Sequence, residues 1–358
     1  MNGNLDRRRF LAGAIATSWA GSQASAVSGQ RAHEAASTLD IHVHLFGTGD
    51  SGSGCRLFKA GSEGRLFKYL AAKLRLRERA KTVDEGYVLA LAEQVETSGL
   101  DKAVILAQDA VYDHHGKPDW DKTPFYIPND YLFQVVALYP ERMFACVSIN
   151  PQRADAVAEL DRCSSKGARV LKIHPPTQGV DLLERRYVPF FRRCAELKFV
   201  VMVHTGHEHS APIVSAALAS PRKLALALEE GCTVVACHCG TGWPTDSVDM
   251  LPDFLAMIRK YRNLGGDTSV LGSAGRVRDM SRLLGDDVAK ARLLHGSDFP
   301  FPATPLAFVG TLGMLTAARL QAINNLIEQD FALKEALGIG RASAERAYRL
   351  ICGEERRS

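Results

Sequence analysis

The sequence contains no run of apolar residues long enough to cross a bilayer as a helix. It carries no large excess of either charge. The formal net charge is +4 over 358 residues, too little to argue for a nucleic acid or a membrane surface as partner. No internal repeat is visible. No glycine-rich phosphate loop follows the first strand-like run, where a dinucleotide-binding doubly wound fold would place one. A regular disulfide framework is also missing. The cysteines (Cys55, Cys146, Cys163, Cys194, Cys232, Cys237, Cys239 and Cys352) are unevenly spaced, and several sit inside apolar, strand-like runs. Cys237 and Cys239 flank His238. Strict strand alternation puts both on the face opposite it, as small packing residues rather than a metal clip.

What is present begins with residues 1–26, "MNGNLDRRRFLAGAIATSWAGSQASA". Arg7, Arg8 and Arg9 form a basic start, Phe10 to Gly21 is moderately apolar, and Ala24-Ser25-Ala26 is a small-x-small site. That order is the order of an export signal. A basic amphipathic helix is the competing reading, but Gly13, Gly21 and the scattered small residues make a poor helix. "DRRRFL" resembles a twin-arginine signal, with Asp6 where Ser or Thr is commoner. The resemblance implies passage through the twin-arginine export machinery to the periplasm, as a folded chain with free thiols. Cleavage would remove three arginines and one aspartate and leave a nearly neutral protein. Residues 27–38 form a polar linker, and 39–352 are expected to be the catalytic body.

Hydrophobic residues make up 46% of the chain, enough for a sizeable core. Short β-branched runs predict strands at Leu39–His44, Lys102–Ala107, Met143–Ile149, Ala168–His174, Phe199–His204, Thr233–His238, Leu264–Val270 and Arg292–Gly296. Amphipathic segments alternate with them: Val83–Ser98, Ala154–Lys166, Val188–Leu197, Leu224–Glu230, Leu251–Tyr261 and Arg276–Leu284. Eight β-then-α units predict an α/β fold, a parallel (β/α)₈ TIM barrel, with an open doubly wound sheet as runner-up. Residues 45–60 and 108–128 are long loops expected to overhang the active face. Residues 306–351 read as helices on the outside.

Within a strand, residues i and i+2 share a face, so His42 and His44 of "DIHVH" project together at the end of the first strand. A lone H-x-H carries little, and a single histidine is more often structural. Here three more histidines end strands: His174 in "VLKIHPP", His204 in "VVMVHTG" and His238 in "TVVACHCG". Asp298 stands at the end of the eighth run, in "LLHGSDFPFP". Imidazoles and a carboxylate gathered at one barrel rim suit a divalent metal such as zinc.

The ordered pieces "DIHVH", "GARVLKIHP", "VMVHTG", "VVACHCG" and "HGSDFP", from residue 39 to about 302, resemble the amidohydrolase superfamily. They resemble in particular its amidohydrolase-related branch of metal-dependent hydrolases and non-oxidative decarboxylases. "ASAERAYRLI" resembles that family's closing helix, with Ser343 in place of the usual Asn. The resemblance implies that His42, His44, His204 and Asp298 hold one metal, read as Zn2+ with Mn2+ as the alternative. It also implies that His238 stands beside the metal's water as base or electrostatic aid, with Asp298 moving the proton. In some relatives a carboxylated lysine on the fourth strand bridges two metals. Lys172 occupies that strand, but we read it as a cation facing substrate, with His174 beside it.

Trp243 of "GTGWP" is a candidate for the pocket wall or the rim. His114-His115 and His207-Glu208-His209 lie in loops and are candidates to contact substrate, although loop histidines are more often just solvated. Arg276 and Arg278 are read as a solvated helix face rather than an anion site. Three functions compete. The first is a metal-dependent hydrolase of a small-molecule amide, ester or lactone. The second is a metal-dependent decarboxylase of an aromatic or unsaturated acid, which needs a fixed arginine that the sequence does not single out. The third is a non-catalytic metal-binding scaffold. Export leans toward hydrolysis, and a homo-oligomer is compatible with all three.

Overall fold

The computed structural model describes residues 37–58 and 64–353. The expected export signal and most of the linker lie outside the described residues. Eight parallel strands run in sequence order around one sheet: β1 (Leu39–His44), β2 (Lys102–Leu106), β3 (Met143–Ser148), β4 (Val170–Ile173), β5 (Val200–His204), β6 (Thr233–Cys237), β7 (Leu264–Asp267) and β8 (Leu293–Leu294). Each pairs with its successor, so the order never reverses as it does in a doubly wound sheet. The chain after β8 then meets β1. Ile41 N donates to His295 O and His44 N to Phe299 O, each at 2.9 Å. The result is the expected (β/α)₈ barrel.

Alternation sorts the strand residues. Leu39, Ile41, Val104, Leu106, Cys146, Val170, Val200, Met202, Val235 and Leu294 pack together inside the barrel. Ala103, Ile105, Leu171, Ile173, Val201, Val203 and Val234 face the surrounding helices. Each fully buried aliphatic side chain contributes about 1.5–3 kcal/mol. In β1 the register shifts between Asp40 and Val43. This bulge lets Ile41 and then His42 both face inward, handing over from apolar filling to site residues.

The strands end earlier than the sequence predicts. Ala168–His174 shortens to Val170–Ile173, Leu264–Val270 to Leu264–Asp267, and Arg292–Gly296 to Leu293–Leu294. At this end side chains replace the backbone ladder. Asp267 Oδ1 accepts from His238 N at 2.9 Å, Asp40 Oδ1 from Ser297 N at 3.0 Å, and Asp109 Oδ2 from Asn150 N at 2.8 Å. The strict alternation expected around His238 fails for the same reason. Cys237 packs inside the barrel. His238 and Cys239 then take left-handed backbone, at φ 61° and 55°, so that Cys237 and His238 both face the barrel mouth. Cys55, Cys146, Cys163, Cys194, Cys232, Cys237 and Cys239 are free thiols.

The helix Val83–Glu96 starts on a Thr82 cap that accepts from Glu85 N. The predicted Arg276–Leu284 helix begins at Val277, after a 3-10 turn at Ala274–Arg276. Helices Arg65–Lys73 and Leu76–Arg79 are not foreseen by the sequence patterns. The two long loops do meet above the barrel, where Arg56–Leu57 pairs antiparallel with Phe125–Tyr126. The C-terminal region is helical, ending in Gly340–Cys352, whose Ala347 packs against the interior cluster at the end away from the site. No described helix is long and apolar enough to cross a membrane.

Candidate active site and metal centre

His42 Nε2 and His44 Nε2 lie 3.3 Å apart, and Asp298 Oδ1 lies 3.2 Å from each. A tetrahedral zinc with bonds of about 2.1 Å has ligand edges of about 3.4 Å, so this triangle fits a divalent ion. The protonation states fit as well. Burial and the Lys172 charge push His42 down to about 3, against the opposing pull of Asp267. A neutral imidazole is the form that ligates. Its Nδ1 lies 2.7 Å from Asp267 Oδ2. That carboxylate holds the Nδ1 proton, orients the ring and leaves the Nε2 lone pair facing the site. Burial alone would raise Asp298, but His44, His42 and His238 hold its carboxyl well below the usual range. Asp298 sits at φ 67°, a left-handed conformation that costs about 1–2 kcal/mol in an L-residue. Its amide donates to His42 O at 2.9 Å, which pins the turn to β1.

His238 stands beside this corner, its ring centroid 5.1 Å from that of His42 and 4.8 Å from that of His204. Its Nδ1 lies 3.2 Å from Ser269 O and 2.8 Å from Ser269 Oγ. A carbonyl only accepts, so Nδ1 carries the proton and Nε2 is left as an acceptor. Burial lowers this histidine below its ordinary value, with Asp298 and Asp267 opposing. Lys172 is buried, its Nζ 3.3 Å from His42 Nε2 and 2.9 Å from Cys237 Sγ. Burial alone would pull its ammonium down, but Cys237, Asp267 and Asp298 hold it above its ordinary value. Burial pushes the Cys237 thiol up, so the two carboxylates are the anions that balance Lys172.

His204 is not part of the triangle. It stacks on His174, with centroids 3.9 Å apart, and groups with His174 and Glu208 as a second set of metal-competent side chains. Glu208 Oε2 lies 3.0 Å from His174 Nε2 and 3.9 Å from His204 Nδ1. Burial would raise the Glu208 carboxyl, but His174 and Ser210 bring it down to about 2. His204 Nε2 is buried with no hydrogen-bond partner among the described residues, an uncommitted ligand atom.

Trp243 is half exposed and borders a cavity that His204, His238 and Asp298 also border. His114 and His115 lie tilted against each other in the exposed second loop, and neither lines the two cavities at the site. Arg278 is half exposed and pairs with Asp279. The expectation for Arg276 is corrected. It is buried rather than on a solvated helix face, because the 3-10 turn before the helix tucks it under Thr241 and His207. Sequence reasoning also missed Asp267 and Ser269. A scan of strand ends for carboxylates would have found Asp267, which ends β7 as Asp298 follows β8. Glu208 sits in a loop, where no periodicity points it inward.

No curated protein matches the chain in sequence. Among solved structures it is similar to an uncharacterised TIM-barrel protein from Bordetella bronchiseptica, at 15% identity, 88% of this chain, 99% of that chain and TM-score 0.57. It is also similar to a putative 2-pyrone-4,6-dicarboxylic acid hydrolase from Pseudomonas putida, at 18% identity, 89% and 98% coverage and TM-score 0.53. A 2,6-dihydroxybenzoate decarboxylase in complex with 2,6-dihydroxybenzoate matches at 16% identity, 88% and 99% coverage and TM-score 0.50. At these identities the likeness speaks for the barrel alone. The family's sequence profile, described as Amidohydrolase, matches residues 39–324. It spans the barrel from β1 through the strand end that carries Asp298, and the chain belongs to the Amidohydrolase family.

Proposed function

We propose that the protein is a metal-dependent hydrolase that cleaves an amide, ester or lactone bond in a small molecule. The observation that carries this is the triangle of His42, His44 and Asp298, with His238 and its free Nε2 beside it. A divalent ion held there, with His204 as fourth ligand, would supply Lewis acidity and lower a water pKa from about 16 to near 7. We read the ion as one Zn2+, with Mn2+ as the alternative. His238 Nε2 accepts a hydrogen bond from the attacking water and aims its lone pair at the carbonyl carbon. Asp298 takes a proton from that water and returns it to the departing nitrogen or oxygen as the acyl bond breaks. Lys172 places a positive charge where the carbonyl oxygen gains negative charge.

Decarboxylation of an aromatic or unsaturated acid is the second reading. The buried Arg276, bordering the same cavity as His238 and Asp298, is the observation that favours it. A screen of the zinc- or manganese-loaded protein against lactones, esters, amides and aromatic acids separates the two. Acid release without carbon dioxide is expected. Carbon dioxide release without hydrolysis of any probe overturns the hydrolase assignment.

A further inference from the structure

Two cavities border the metal corner. The first, about 300 Å3, is walled by Phe46, Leu57, Phe67, Leu70 and Phe125. The second, about 380 Å3, is walled by His207, Trp243, Ser273 and Arg276. His204, Glu208, His238, Asp298 and Phe301 border both. The metal corner therefore lies between a chamber walled by aromatic and aliphatic side chains and one that holds a buried arginine.

Arg276 is the cation of the second chamber, and it forms no ion pair among the described residues. Only 3% of the residue is exposed. Nη1 donates to Thr241 Oγ1 and Nη2 to His207 O, each at 3.2 Å. Both acceptors are neutral, and Nε has no partner among the described residues. The carboxylates around it are taken by other groups. Asp279 accepts from Arg278, Arg282 and Gly242 N. Asp246 accepts from Trp243 N and lies 3.2 Å from His209 Nε2. Glu208 is held by His174 and Ser210, and Asp330 by Lys334. A buried guanidinium without an anion is costly, and its planar fork matches a carboxylate.

We propose that the substrate carries an apolar aryl or alkyl body on one side of its scissile carbonyl and a carboxylate on the other. The body fills the Phe46–Phe125 chamber and the carboxylate seats on Arg276. This rests on the hydrolytic function above. An N-acyl amino acid has this layout. In N-benzoylglycine, water oxygen bonds to the benzoyl carbon and the carbon–nitrogen bond breaks. The electron pair leaves on nitrogen, which takes up a proton, giving benzoate and glycine.

The test compares N-benzoylglycine with its uncharged carboxamide on the zinc-loaded full chain. Binding is read by calorimetry and turnover by benzoate release. The wild type is expected to bind the acid about 10–100-fold more tightly than the amide. Arg276→Gln should collapse that ratio toward one, and Arg276→Lys should keep part of it. Equal binding of the two probes by the wild type overturns the proposal, needs no variant, and leaves hydrolysis standing if benzoate is released. Failure of the acid to bind at millimolar concentration, or a preference that survives Arg276→Gln, also overturns it. A preference that Arg276 controls, with no turnover of either probe, supports the substrate class and counts against hydrolysis.

Discussion

The two sides of the site are built by different means. On one side His42, His44 and Asp298 come from strand ends or the residues that zip β8 to β1, and backbone hydrogen bonds tie them together. Asp267, on β7, locks the His42 ring from behind. On the other side Glu208 comes from the loop after β5, and Arg276 from a 3-10 turn. They are placed by side-chain contacts to His174, Ser210, Thr241 and His207. The sheet fixes the metal corner with backbone hydrogen bonds and with the strand carboxylates Asp40 and Asp267 behind it. The other side depends on which loop residues happen to meet, so it is the side on which relatives with one barrel can diverge in substrate.

Breaking the metal corner should have the largest effect. Asp298→Asn keeps the shape but removes the charge and the proton carrier, and should lower turnover by roughly 10³-fold with the circular dichroism spectrum unchanged. Full activity in that variant would refute the proton path. Asp267→Asn is next. It leaves the ligands in place but loosens the hold on His42 Nδ1, and metal affinity should fall about 10–100-fold in chelator competition. An unchanged affinity would mean that packing alone orients the ring. Glu208→Gln should have the smallest effect on metal content, which is expected to stay near one equivalent per chain by elemental analysis. A fall from two equivalents to one would instead place a second ion among His174, His204 and Glu208, and make the two sides alike.

Several features were legible in the residues alone because they repeat with a fixed period. The β-branched runs, each followed by an amphipathic segment, specify a parallel barrel. The spacing of His42 and His44 specifies a shared face. The positions of His174, His204 and Asp298 at run ends specify the rim. Alternation failed wherever the backbone left the strand. The bulge in β1 and the left-handed residues His238, Cys239 and Asp298 re-aim side chains in ways that a period of two cannot express. Arg276 looked like a helix-face arginine because one helical residue resembles another until its neighbours are known.

The chain by itself therefore determined the barrel, its family and the histidines and Asp298 that gather at the rim, since these follow from local pattern and side-chain chemistry. Tertiary structure alone decided which of them converge. Proximity among residues 42, 267 and 298, or 208 and 174, is a property of closure. The same closure left Arg276 buried without an ion-pair partner among the described residues, across the metal corner from the chamber of Phe46 and Phe125.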